Sequence, residues 1–192
     1  MRKYVVLAAL VLGMPACGLL GNECGRANPA TYYDVQGIEA FVTRQPMDQP
    51  WATVAPSGIV ASRELRLRVG LKERHYSVVP VQGFMSVAYA CSPVPAGSLG
   101  SAERMDSLSI TSLYNYDALH PAGTPLTDLL GVDGRPQFPA PSRRNPLEPF
   151  RYAEISLLSP PVTTGPQQFR VYYRQTNGEV YTTQTAAVTV VR

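Results

Sequence analysis

Lysine is almost missing from this chain of 192 residues: it occurs only at Lys3 and Lys72, and arginine supplies the remaining positive charge. The formal net charge is +3, which falls to about +1 if Arg2 and Lys3 depart with a leader, too little for the electrostatic footprint of a nucleic-acid binder. Histidine is as scarce, with His75 and His120 alone. The three cysteines form no C-x-x-C pair, and both histidines lie far from them in sequence, which excludes the usual zinc spacings. There is no G-x-S-x-G elbow to seat a serine nucleophile. No cofactor motif is present, so neither a cofactor nor a metal is expected. Apolar runs are short, and the longest, Tyr4 to Met14, falls below the roughly 20 residues a membrane-spanning helix requires. What the chain has in quantity is proline (18) and glycine (15), which break helices and leave short extended segments between turns.

The first sixteen residues read as an export signal. Arg2 and Lys3 are the basic start, Tyr4 to Met14 the apolar stretch, and Ala16 the small residue before Cys17. Two cleavage readings compete. An ordinary signal-peptidase cut after Ala16 would place the bulky Met14 at −3, where a small residue is preferred. In lipoprotein processing, Cys17 of "MPAC" becomes the acylated N-terminus, although Leu is commoner at −3 and Pro15 is unusual at −2. Parity favours the second. An odd thiol in an oxidising compartment needs an explanation, and a lipid on Cys17 leaves Cys24 and Cys91 as a pair. Their disulfide would close a loop whose restriction of the unfolded chain is worth about 4 kcal/mol in the loop-entropy model. Several acyl chains are enough for stable anchoring. The expected organisation is therefore a signal peptide over 1–16, a lipidated tether over 17–30 and a folded domain over 31–192.

Within that domain the signals are β-signals. "SRELRLRVGLKERHYSVVPV" (62–81) alternates Leu65, Leu67 and Val69 against Arg66 and Arg68. "TYYDVQGIEAFVTR" (31–44), "GFMSVAYACS" (83–92), "MDSLSITSLYNY" (105–116, with Leu108, Ile110 and Ser112 on one side) and "RYAEISLLSPP" (151–161) read as further strands. Asn177-Gly178 between two alternating runs marks a hairpin. A two-residue type I′ turn there places Phe169, Val171 and Tyr173 with Val180, Thr182 and Gln184. It places Arg170, Tyr172, Arg174 and Tyr181 together on the outer side. Val188 and Val190 rejoin the buried face if a bulge falls near Ala186-Ala187. About seven strands with intervening turns predict an all-β, antiparallel, immunoglobulin-like sandwich. Thr124 as N-cap, Pro125 behind it and Gly131 as the stop predict one short helical turn in a crossover. "GRPQFPAPSRRNPLEPF" (134–150) is an extended loop, and "DQPWATVAPSG" (48–58) another, carrying the chain's one tryptophan.

Arg170, Tyr172, Arg174 and Tyr181 are the residue types found at binding hot spots, and they equally suit a plain exposed sheet on which Arg stacks over Tyr. Trp51 and Phe138 read either as docking residues or as packing over one end of the sandwich. A glycosidase-like pair would be drawn from the carboxylates Asp106, Asp117, Asp128 and Asp133, with Glu148 and Glu154 lying later in the chain. His120, followed by Pro121, reads as a structural hydrogen-bonding residue rather than a base.

The layout "MRKYVVLAALVLGMPACG", "YYDVQGIEA", "AYACSPVP", "DSLSITS…YD…HPAGTPLTDLL" and "FRVYYRQTNGEVYTTQTAAVTV" resembles uncharacterised lipoproteins of the bacteroidete lineage. The terminal hairpin by itself resembles the last strands of immunoglobulin-like or fibronectin type III modules. The resemblance implies export, lipidation and the Cys24–Cys91 pair, and supplies no catalytic residues. The expectation is a non-catalytic lipoprotein held in the bacterial outer membrane by its N-terminal lipid, facing periplasm or surface, that binds a protein or glycan. The alternatives are a structural subunit of an envelope complex or, from another class, a carboxylate hydrolase.

Overall fold

The computed structural model describes residues 31–45, 50–77, 95–132 and 141–192. The leader, Cys17, Cys24, Cys91, the tether over 17–30, the expected strand at 83–92, Asp133 and Phe138 lie outside the described residues. The chain divides into two units. In the smaller, Met1–Tyr32 with Tyr76–Gly100, the rings of Tyr32 and Tyr76 stack with centroids 5.8 Å apart. There the Gly97 and Leu99 amides donate to the Thr31 hydroxyl (2.7 Å) and carbonyl (3.0 Å).

The larger unit, Tyr33–His75 with Ser101–Arg192, is an all-β sandwich. Its first sheet joins β1 (Tyr32–Arg44), β2 (Ala52–Thr53), β4 (Leu65–Tyr76), β6 (Leu130–Val132) and β7 (Tyr152–Leu157) in the order β2-β1-β4-β7-β6. A second holds β5 (Met105–Ser112), β9 (Phe169–Gln175) and β10 (Val180–Gln184), with β9 central. A third holds β3 (Ile59–Ala61), β8 (Gly165–Gln167) and β11 (Val188–Val191), with β11 central. There are more strands than the seven expected because β2, β3, β6 and β8 are only two or three residues long, too short for alternation to show. Among the paired strands of the described residues the expected antiparallel pairing holds except between β3 and β11, which run parallel, and an isolated bridge from Tyr33 to Ser101 is parallel too. Val188 and Val190 are buried as anticipated, but on a separate strand of the third sheet rather than beyond a bulge in β10.

Alternation built these strands, and burial follows it. Leu65, Leu67 and Val69 of β4 point inward beside Ala153 and Ile155 of β7, and Leu108 and Ile110 of β5 pack with Phe169, Val171 and Tyr173 of β9. Each such large side chain taken from water contributes about 1.5–3 kcal/mol. Along β1 the buried positions change parity, from Tyr33 and Val35 to Ile38, Ala40 and Val42. That change of phase across Gln36-Gly37 keeps both halves of a thirteen-residue strand facing the core.

Two local expectations are corrected. The short helical turn is a 3-10 turn at Thr127–Leu129, with Leu126 rather than Thr124 before it, and Gly131 continues into β6. Pro125 instead bridges Thr111 of β5, and the Leu126 amide donates to Ile110 (2.8 Å), so this segment is spent as a partial edge for β5. The hairpin is present, but its loop is longer than expected. The Gly178 amide donates to the Gln175 carbonyl and the Gln175 amide to the Glu179 carbonyl, both at 3.0 Å. Val180 therefore pairs with Arg174 and Tyr181 with Tyr173. Gly178, at φ 91°, takes the left-handed position of a three-residue loop, a conformation glycine adopts without Cβ strain. One extra loop residue exchanges the two faces of the second strand.

Candidate functional site

That register separates the four residues Arg170, Tyr172, Arg174 and Tyr181. Tyr181 turns inward, its ring 6.3 Å from that of Tyr173, and its hydroxyl donates to the Val35 carbonyl at 2.8 Å. Arg170, Tyr172 and Arg174 share the outer face with Val180, Thr182 and Gln184 instead. Arg174 is also committed. β5 is irregular between Met105 and Ser107, which turns the buried Asp106 toward β9, and the Arg174 Nε donates to Asp106 Oδ1 at 2.7 Å. This hydrogen bond holds the guanidinium pKa above its ordinary value.

Asp117 and Asp128 are likewise engaged. His120 is 6% exposed. Its Nδ1 lies 2.8 Å from Asp117 Oδ1 and its Nε2 3.0 Å from Asp128 Oδ1. Both neighbours are acceptors, so both contacts are hydrogen bonds only when each ring nitrogen carries a proton, that is, in the imidazolium. The hydrogen bond that His120 donates to Asp117 raises the His120 pKa, against burial, with Asp128 adding to the rise. For Asp117, burial pushes upward, but His120 and the amides of Leu119 and His120 (2.8 Å each) together hold its carboxyl below the usual range. The same loop is tied by the Tyr116 amide to the His120 carbonyl (2.9 Å), the Ala122 amide to Asn115 Oδ1 (2.9 Å) and the Tyr116 hydroxyl to the Ser159 carbonyl. In the imidazolium form neither ring nitrogen has a lone pair with which to accept a proton. The cluster is a clamp on residues 115–128. Among the described residues no group of three His, Cys, Asp or Glu is placed to hold a metal ion. Nor, among them, is any helix long and apolar enough to cross a membrane.

A different surface collects unspent side chains. On the outer face of the first sheet, Arg66 pairs with Ser156, Arg68 with Glu154 and Gly70 with Tyr152, directly across β4 and β7. The other side of the groove is formed by Gln45, which follows β1, and by Trp51, which precedes β2. The volume of the groove is about 590 Å³. Tyr152 is 70% exposed and Trp51 36%. Arg68 Nε donates to Glu154 Oε1, while Glu154 Oε2 is covered and has no partner among the described residues. Arg66 donates one amino group to the carbonyls of Arg63 (3.1 Å) and Leu65 (2.8 Å). Sequence reading counted Arg66 and Arg68 as the polar side of a half-buried strand and Trp51 as a loop residue. It had no signal for Tyr152 and Glu154 as partners, since their register against β4 is a long-range fact.

No family model, curated protein or solved structure matches the chain.

Proposed function

We propose that this protein is an exported, lipid-anchored module of the bacterial cell envelope that works by binding, with the outer face of the β1-β4-β7 sheet as its binding surface. The observation that carries the reading is the contrast in how polar side chains are used. Asp106, Asp117, Asp128 and His120 are bound to one another or to Arg174. Trp51, Tyr152, Arg66 and Arg68 instead line an open groove with donors and aromatic surface to spare. A hydrolase of this size needs two carboxylates facing a shared water or substrate. Export and anchoring rest on the basic-apolar leader and the "MPAC" that ends it. A structural subunit of an envelope complex is the second reading. It is favoured by the edge of β10, where Val180 is 48% exposed and the strand carries neither lysine nor proline to discourage pairing.

The test is incorporation of radiolabelled palmitate in cells expressing the full chain. Label is expected on wild type and absent from Cys17→Ser. Equal labelling of both proteins, or of neither, sinks the anchor.

A further inference from the structure

We propose that the groove on the outer face of the first sheet is a saccharide-binding site, taking an uncharged oligosaccharide of hexose units. This deepens the binding reading above and rests on it for the choice of surface.

The chemistry of the lining selects the ligand class. A pyranose ring presents C–H bonds on its faces and hydroxyls around its rim. The faces pack on aromatic rings, and Trp51 and Tyr152 supply two rings already held at the surface. The rim needs donors and acceptors in close alternation, because a hydroxyl both donates and accepts. Arg68 and Glu154, paired across the strands, belong to the same lining as the aromatics. Arg68 commits its Nε to Glu154 and has amino groups left over. Glu154 Oε2 is an acceptor with no partner among the described residues. Ser156 and Gln45 add a hydroxyl and an amide to the same lining.

Rival ligands fit less well. A phosphate or carboxylate would meet two guanidiniums, but one of these already serves two backbone carbonyls, and the adjacent Glu154 repels an anion. A purely apolar ligand would bury the Arg68–Glu154 pair without replacing its hydration. The platform is also rigid. Its charged residues alternate with Leu67, Val69, Ala153 and Ile155, all buried, so little side-chain or backbone ordering accompanies binding.

Trp51 is the chain's one tryptophan, so its emission reports on this site alone. The full chain, purified in a detergent without a sugar headgroup, is titrated with cellohexaose, chitohexaose and a β-1,3-linked glucose hexamer. Inorganic phosphate and an acidic decapeptide serve as competing probes. A saturable shift of Trp51 emission with at least one hexamer is expected, and none with phosphate or peptide. Tyr152→Ala and Arg68→Ala, both surface changes, are each expected to weaken that binding by about tenfold or more. Arg170→Ala, on another sheet, should leave it unchanged. The proposal is overturned if no hexamer gives saturation below about 10 mM, a range that weak single-site binding still reaches. It is also overturned if Tyr152→Ala and Arg68→Ala both bind as wild type, or if the peptide or phosphate binds in place of the sugars. Palmitate labelling is read separately: sugar binding without labelling removes the anchor alone, and labelling without sugar binding removes the saccharide alone.

Discussion

The His120 clamp and the groove of the first sheet use the same residue types to opposite ends. In the clamp, a buried imidazole ring lies within hydrogen-bond distance of two carboxylates, and the amides of Leu119 and His120 satisfy Asp117 again. In the groove, an arginine meets a carboxylate across two strands, and donors, one carboxylate oxygen and two aromatic faces remain unspent. A polar cluster whose members satisfy one another adds to the stability of its segment and excludes ligands. One that is left partly unsatisfied at a rigid surface adds little to stability and has free energy left for a partner. The difference lies in what surrounds each cluster, since a loop can wrap its polar atoms whereas a sheet face cannot.

The comparison is broken most forcefully at the clamp. His120→Ala removes two charge-assisted hydrogen bonds and leaves Asp117 with two amides only. It should lower the free energy of unfolding by about 2–3 kcal/mol, less than two fully buried bonds would give because Asp128 is largely exposed. Urea denaturation measures this, and a loss under about 0.5 kcal/mol would remove the clamp from the account. Its pH dependence sharpens the same point. The folded pKa of His120 is raised above its ordinary 6.5. The stabilisation is therefore complete below 6.5 and is lost as pH rises through the higher folded value. Asp117 has a folded pKa below 3.8. Its share is present above 3.8 and is lost as pH falls through the lower folded value. Wild type should thus lose stability on the alkaline side of 6.5 relative to His120→Ala, whose unfolding curve should be flatter there. Identical slopes would mean that His120 is not protonated in the folded protein.

Smaller effects follow away from the clamp. Gly178→Ala places a Cβ at φ 91° with nothing within 4 Å to clash, so its cost is backbone strain, about 1–2 kcal/mol by thermal or urea unfolding. A neutral result would argue for a different hairpin loop. At the groove, Tyr152→Ala should change stability by no more than about 0.5 kcal/mol, the range of surface substitutions. That near-silence in unfolding, set beside a loss of ligand affinity, is what separates a binding residue from a structural one.

Several elements were legible in the sequence because their cause is local. The inward row Leu65, Leu67 and Val69 and the row Leu108, Ile110 and Ser112 follow from a period of two, and each is buried. The hairpin itself was legible from Asn177-Gly178. Its register was not, because a glycine in the left-handed conformation serves both a two-residue and a three-residue loop. The choice between them rests on Gln175 pairing with Glu179. The Asp117–His120 half of the clamp spans three residues and lies within reach of sequence reasoning, as an aspartate receiving nearby amides. Asp128 joins it only because the chain between them bends through Pro121, Pro125 and the 3-10 turn. The groove left no trace in the sequence. Trp51, Arg68 and Glu154 are scattered along the chain, and only the pairing of β4 with β7 sets Arg68 beside Glu154.

The amino-acid order alone determined that this chain forms strands and, in β4 and β5, which side chains turn inward, because alternation acts over a few residues. Which strand lies beside which, in what register, and hence which polar groups are mutually satisfied and which are left facing solvent, was decided by tertiary structure. Those outcomes depend on contacts between distant segments, and a shift of one residue in any pairing would have reassigned them.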